Sequence, residues 1–286
     1  VQTPESRDVR KLAAGTDNGL CQQARKGKCM VASHPRKRRE ERADRPLHVQ
    51  VEAWGPLACF TRPELKVERV SYPTMTPSAA RGLLEAIFWK PEMIYRVERI
   101  EQLKPVRWTR FRRNEVNDSV ITKNVYESLR ANNGCRYDVA DDRGQRVTVA
   151  LSNVAYRIHA TIGTADRCTA PLPKYRDQFD RRLTRGACYE QPHFGCREFA
   201  AFFGPRGSAE EAGAVTAADQ AGIPPIDELG LMLHHIEYLS KGKERYHWFR
   251  ARLEHGVLHV PDRPLTPAEA GGMPGAEGRA SAEEVG

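Results

Sequence analysis

A chain of 286 residues with 40% hydrophobic side chains and 22 glycines can pack an interior without disulfide or metal staples, which excludes wholesale disorder. A mean hydropathy of -0.62, and no apolar run near the ~18 to 20 residues that a membrane helix needs, argue against transmembrane helices; residues 1–15 lack the apolar segment of a secretory signal, so a cytoplasmic location is expected. Lys and Arg outnumber Asp and Glu by 45 to 37, a net +8, but residues 1–46 hold 12 basic and 6 acidic residues and 262–286 hold 2 and 5, which leaves only +5 between them.

Residues 1–46 carry few large apolar side chains, no periodicity and the run PRKRREERADR, and so predict a disordered basic arm. The chain opens on Val1 and its first methionine is Met30, the pattern of a start assigned too far upstream, so translation of residues 1–29 stays open. LHVQVEAW (47–54) alternates as a strand does, with Leu47, Val49, Val51 and Ala53 on one face. After a long loop, Thr76 or Ser78 with Pro77 starts a helix through SAARGLLEAIFW, which Pro91 stops. MIYRVERIEQL (93–103) and KPVRWTRFRR (104–113) read as strands, and 115–131 as either a helix or an ordered loop. QRVTVAL and NVAYRIHATI (145–162) read as adjacent strands broken at Ser152. PKYRDQFDRRLTRG (173–186) is a helix with a glycine stop. Short strands follow at 197–203, 229–238, 247–253 and 256–260, and PAEAGGMPGAEGRASAEEVG closes the chain as a solvated tail. The order strand, helix, strand, strand, undecided segment, strand approaches the split β-α-β pattern. The expected fold is α+β: a ferredoxin-like (RRM-type) domain over 47–205, a small antiparallel β domain over 206–261, and disordered tails over 1–46 and 262–286.

The seven cysteines (Cys21, Cys29, Cys59, Cys135, Cys168, Cys188 and Cys196) are odd in number and include no CxxC pair, which argues against a disulfide framework. Cys188, His193 and Cys196 offer three zinc ligands at a spacing that matches no common zinc motif; small thiols without a metal are the competing reading, and no metal is assigned. G-x-x-x-x-G-K-[ST], G-x-G-x-x-G and H-E-x-x-H are absent, as is a tight Asp/Glu cluster for two catalytic metals, so no cofactor is expected.

What remains is cations interleaved with aromatics. KPVRWTRFRR places Lys104, Arg107, Arg110, Arg112 and Arg113 beside Trp108 and Phe111 with no acid in the run. On a strand, Trp108, Arg110 and Arg112 share one face, while Arg107, Phe111 and Arg113 take the other. One face thus offers cations and a ring to a single-stranded nucleic acid; a solvated edge strand with its rings in the core is the alternative. In the helix 173–186, Tyr175, Phe179 and Leu183 form a core stripe, and Lys174, Gln178, Arg181 and Arg185 a basic face suited to an anionic partner, flanked by Asp177 and Asp180.

The segments VEAWGPLACFTRPELKVERVSYPTMTPSAARGLLEAIFWKP, FRRNEV, QRVTVALSNVAYRIHA, KYRDQFDRRLTRGACYEQPHFGCREFAAFF, LGLMLHHIEY and WFRARLEHGVLHVP follow one another over 47–261. Together they resemble the subtype I-C member of the CRISPR-associated Cas-five family, within the RAMP superfamily; neither tail takes part. The resemblance implies a RAMP-type ferredoxin-like domain followed by a smaller β domain. It also implies a metal-independent endoribonuclease of antiviral defence that cuts precursor CRISPR RNA at the repeat hairpin through attack by a ribose 2′-OH. The enzyme would stay on the 5′ handle of the mature CRISPR RNA as a subunit of the type I-C interference complex, beside its backbone and large subunits. The catalytic positions implied are a tyrosine in the first helix and adjacent lysine and histidine at the start of the later one; they fall on Phe88, Lys174 and Tyr175.

Lys174 suits charge stabilisation. Phe88 exchanges no proton, and Tyr175, with an ordinary pKa near ~10, is a poor base that also completes the core stripe. Tyr72, Tyr95 and His193 are the nearby groups that stand in for the missing ones. Three functions stay open: the endoribonuclease, a non-catalytic guide-RNA-binding subunit of the same complex, and a double-stranded DNA binder, for which no helix-turn-helix speaks.

Overall fold

The structure, a computed structural model, describes residues 47–65, 67–116, 130, 143–164, 172–239, 244–266 and 269–270. The expected arm over 1–46, most of the undecided segment 115–131 and the tail from 271 lie outside the described residues.

β1 (His48–Ala58) buries Val49, Val51 and Ala53 on one face, as the alternation predicts, and runs four residues past Trp54. The Thr76 hydroxyl accepts from the Ala79 N–H at 3.2 Å to start α1 (Pro77–Ile87); Pro77 fills the first turn, where its missing N–H costs nothing, and Phe88 ends the helix in an extended conformation. β2 (Met93–Gln102) and β3 (Trp108–Val116) follow, then β4 (Arg143–Thr164), then α2 (Leu172–Arg185). After β5 (Phe202–Gly204) come two short helices, α3 (Ser208–Glu211) and α4 (Ala217–Ala221), and the strands β6 (Ile226–Tyr238), β7 (Glu244–Glu254) and β8 (Val257–His259).

All paired strands are antiparallel, in the order β5-β1-β4-β2-β8-β7-β6, with β3 also on β4. Three expectations change here. The break at Ser152 is no strand end: β4 continues through Asn153, which has a φ of 53, and pairs with β1 on both sides of it, while residues 143–151 pair with β3 and residues 156–164 with β2. Asparagine tolerates that left-handed region better than most residues with a Cβ. The small β domain placed at 206–261 has no core of its own: β8 pairs with β2, and Trp248 and Phe249 of β7 share one apolar cluster with β1, α1 and α2. The tail placed from 262 begins docked, because the Leu265 N–H donates to the Trp248 carbonyl at 2.8 Å and Ala270 is buried. Among the described residues no helix is long and apolar enough to cross a membrane.

α1 contributes Ala80, Leu83, Leu84 and Ile87 to the core, and α2 contributes the expected stripe of Tyr175, Phe179 and Leu183. Each large apolar side chain so buried stabilises the fold by about 1.5–3 kcal/mol. One backbone approach is closer than any side chain allows. Gly195 has a φ of +81, and a Cβ built there would stand 1.9 Å from the Cys59 carbonyl oxygen, beside the bond from the Cys59 N–H to the Phe194 carbonyl at 3.0 Å. Gly195→Ala is therefore expected to cost about 3 kcal/mol, from left-handed strain and overpacking together, read as a lower urea midpoint; an unchanged midpoint contradicts this packing.

The other face of the sheet is polar. Arg157 of β4 lies between Glu52 of β1 and Glu101 of β2. Its Nε and Nη2 donate to Glu52 Oε1 at 3.0 and 2.9 Å, and Nη1 donates to Glu101 Oε2 at 2.6 Å. Glu52 is only 1% exposed, and its second oxygen accepts from the Ala209 N–H of α3 at 3.0 Å. His159 Nε2 stands 2.7 Å from Glu101 Oε1 and its Nδ1 3.4 Å from Arg99 Nη2.

Candidate functional site

β3 separates its two faces much as alternation requires. Trp108, Arg110 and Arg112 point to solvent, Trp108 with half its surface exposed. The other face turns inward: the Phe111 ring meets Phe199 edge-on at 6.1 Å, and Arg113 lies 5.0 and 5.3 Å from the two ring centres while pairing with Glu198. Arg113, expected among the RNA-binding cations, is thus engaged within the protein. Lys104 differs too. It precedes β3, is buried, and donates from Nζ to Asn153 Oδ1 at 2.6 Å. Burial, with Arg107 nearby, holds its ammonium below the ordinary lysine range despite the attraction of Asp219. Arg107 stays exposed and stands 3.6 Å from Asp219.

The open patch is therefore Trp108, Arg110 and Arg112, with Arg107 at its margin. Replacing Arg110 and Arg112 together by alanine is expected to weaken binding of single-stranded RNA and to flatten the slope of log affinity against log salt by about 0.7 per lost phosphate contact. Lys104→Met is expected to leave that slope unchanged. Filter binding across a salt series checks both, and equal slopes for the Arg110/Arg112 variant and the parent contradict the assignment.

A second group gathers where the end of α1, the turn after it and α2 meet. Lys174 projects into solvent from the first turn of α2. Tyr175 is buried in the stripe, and its hydroxyl donates to Glu92 Oε1 at 2.9 Å. That bond above all, with Lys90 beside it, holds the Glu92 carboxyl below the ordinary carboxylate range. Glu92 follows Lys90 and Pro91 in the turn between α1 and β2, and nothing in its sequence context singles it out.

Phe88 closes the end of α1. It is buried, its carbonyl accepts from the Tyr95 hydroxyl at 2.7 Å, and Arg182 lies 5.1 Å from its ring centre while donating from Nη1 to the Ile87 carbonyl at 2.9 Å. Arg181 and Arg185 are exposed on the outer side of α2, as their spacing predicts.

Of the stand-ins, Tyr95 lies at this second group against Phe88 and Phe179, with its hydroxyl on the Phe88 carbonyl. Burial pushes the hydroxyls of Tyr72 and Tyr95 up, so both remain protonated. His193 forms an isolated β-bridge with Ala200. Among the described residues no three His, Cys, Asp or Glu side chains come together as a metal site, and Cys196 instead accepts from Arg69 Nη1 at 3.5 Å.

A family model described as CRISPR-associated protein (Cas_Cas5) matches residues 49–261. The CRISPR pre-crRNA endoribonuclease Cas5d of Thermus thermophilus is 38% identical over 230 residues, which cover 74% of this chain and 91% of that protein. The protein of the same name from Mannheimia succiniciproducens is also 38% identical, over 223 residues, 74% of this chain and 94% of that one. A crystal structure of a CRISPR-associated protein superposes with a TM-score of 0.52 at 18% identity, covering 77% of this chain and 97% of that one. A functionally uncharacterized protein from Streptococcus mutans gives a TM-score of 0.51 at 15% identity, over 76% and 93%. The two solved structures share the mostly antiparallel sheet with few helices, and the residues that the family model matches include Phe88, Glu92, Lys174 and Tyr175.

Proposed function

This chain belongs to the CRISPR-associated Cas5 family, of the Cas5d type, and from that premise we propose that it is the endoribonuclease that cuts precursor CRISPR RNA at the repeat hairpin. The observation that carries the reading is the 38% identity, over nearly the whole of two relatives, to proteins named for that activity. The protein works in the cytoplasm. It remains on the 5′ handle of the mature CRISPR RNA as a subunit of the type I-C interference complex, in contact with the backbone and large subunits. The order β5-β1-β4-β2, with α1 and α2 as the crossovers, supports a ferredoxin-like, RAMP-type core, extended by β6 to β8.

Cleavage proceeds without a metal, by attack of the ribose 2′-OH on the adjacent phosphate. Such a reaction requires positive charge at the phosphate oxygens, a donor for the departing 5′ oxygen, and an acceptor for the 2′-OH proton. Lys174, exposed at the start of α2, supplies the charge. Tyr175 is a hydroxyl donor, already giving its hydrogen to a carboxylate, and supplies the proton of the leaving group. Trp108, Arg110 and Arg112 on β3, and Arg181 and Arg185 on α2, hold the RNA strand by stacking and by phosphate contacts.

The test is incubation of the purified protein with RNA carrying its own repeat, in EDTA. One discrete cut at the repeat is expected. Tight binding with the RNA left intact overturns the enzymatic reading and makes the chain the non-catalytic guide-binding subunit of the same complex.

A further inference from the structure

We infer that Glu92 is the group that accepts the proton of the attacking 2′-OH. The inference rests on the cleavage reading and completes it. Neither position assigned above to proton transfer supplies a base: Phe88 has no exchangeable proton and is buried, and the Tyr175 hydroxyl is a donor. The group that receives that hydrogen bond is the carboxylate of Glu92, at 2.9 Å, and Tyr175, which donates it, directly follows Lys174 in α2. A carboxylate offers about four acceptor sites, and the Tyr175 hydroxyl takes up one of them. The bond from Tyr175 and the nearby Lys90 keep the group ionised at neutral pH.

The dyad balances the reaction by itself. Glu92 takes the 2′-OH proton as the 2′ oxygen bonds to phosphorus, and the P–O5′ bond breaks. The Tyr175 hydroxyl gives its proton to the departing O5′. The proton now on Glu92 passes along the existing hydrogen bond to the tyrosinate, and both side chains return to their starting states. The products are a 2′,3′-cyclic phosphate and a 5′-OH, and no co-reactant is consumed. Lys174 neutralises the charge on the non-bridging oxygens throughout.

Glu92→Gln keeps an acceptor for Tyr175 but removes the base. With the repeat RNA as substrate, the single-turnover rate is expected to fall by about 10²-fold or more while RNA affinity stays within about twofold. In Glu92→Ala, added formate is expected to restore part of the rate, which a purely structural role for the side chain does not predict. If the parent protein cuts and Glu92→Gln cuts within about threefold of it, the inference falls and the cleavage reading stands. If Glu92→Ala loses RNA affinity along with rate and formate restores neither, the inference falls as well. A parent protein that leaves the RNA intact overturns the cleavage reading and this assignment with it.

Discussion

Arg157→Met is expected to destabilise the protein by about 3–5 kcal/mol, the cost of breaking a buried ion pair from one side. Two carboxylates depend on this guanidinium. Glu52, nearly inaccessible, receives two of its N–H groups, and Glu101 receives a third. A methionine fills much of the volume but donates to neither, so buried Glu52 keeps only the Ala209 N–H and no counter-charge, while Glu101 keeps Arg99 and His159. Urea unfolding is the measurement: a shift in midpoint at unchanged slope supports the account, and a loss below about 1 kcal/mol contradicts it. Exchanging Glu52 and Glu101 for glutamine in the same variant is expected to recover part of the loss, because the stranded charges are then gone.

The same network sets the acid limit of stability. Burial pushes the Glu101 carboxyl up, but the Arg157 hydrogen bond and the charges of His159 and Arg157 outweigh it and hold the group below the ordinary carboxylate range. A depressed carboxyl pKa means that the unfolded chain binds the proton first. Its stabilisation is therefore complete above the unfolded value and is lost as the pH falls through the folded one. His159 acts in the same direction. Burial, aided by Arg99 and Arg157, lowers its pKa despite Glu101, so the unfolded chain again takes the proton first. Stability is expected to decline as the pH falls from about 7 through the imidazole range and further through the carboxylate range. A midpoint that is flat across that interval contradicts the assigned protonation states.

The second large effect is on catalysis. Lys174→Ala is expected to slow repeat cleavage by about 10²- to 10³-fold, the usual loss when one preorganised charge-stabilising group is removed. Lys174 is exposed in the first turn of α2, while the residues that anchor this helix are Tyr175, Phe179 and Leu183. The thermal midpoint is accordingly expected to move little, and RNA affinity to weaken by about the value of one phosphate contact. Lys174→Arg restores the charge and is expected to regain part of the rate, less than the full rate because the planar guanidinium replaces a compact ammonium. Single-turnover rates with saturating protein separate the chemical step from binding. A Lys174→Ala rate within about threefold of the parent contradicts the role.

Periodicity made part of this architecture legible. Tyr175, Phe179 and Leu183 recur at helical spacing and are all buried; Val49, Val51 and Ala53 alternate and are all buried; Thr76 and Pro77 mark the start of α1 where its hydrogen bond is found. The parts that escaped depend on partners distant in the chain. Asn153 does not end β4, because its neighbours are already paired on β1 and β3. The pairing of β8 with β2, which merges the last third of the chain into the first sheet, joins two segments that each read as a strand but whose partnership, far apart in the chain, has no local signature. α3 and α4 are too short to show a period.

The candidate site divides along the same line. Alternation on β3 separated Trp108, Arg110 and Arg112 from Phe111 and Arg113, but charge alone gave no hint that Glu198 would engage Arg113 or that Asn153 would hold Lys104 in the interior. Glu92 is one acid among many in the sequence. Only the fold brings its carboxylate to the Tyr175 hydroxyl, 83 residues further along the chain.

The central claim is a cut made by a ribose 2′-OH, and the ends of the products carry its signature. The purified protein is to be incubated in EDTA with RNA containing its repeat, and both fragments analysed by mass spectrometry. The account predicts a 2′,3′-cyclic phosphate on the upstream fragment, a 5′-OH on the downstream one, and no cut when the scissile nucleotide carries a 2′-deoxy sugar. A 3′-OH paired with a 5′-phosphate, or cleavage that survives the 2′-deoxy substitution, would contradict it.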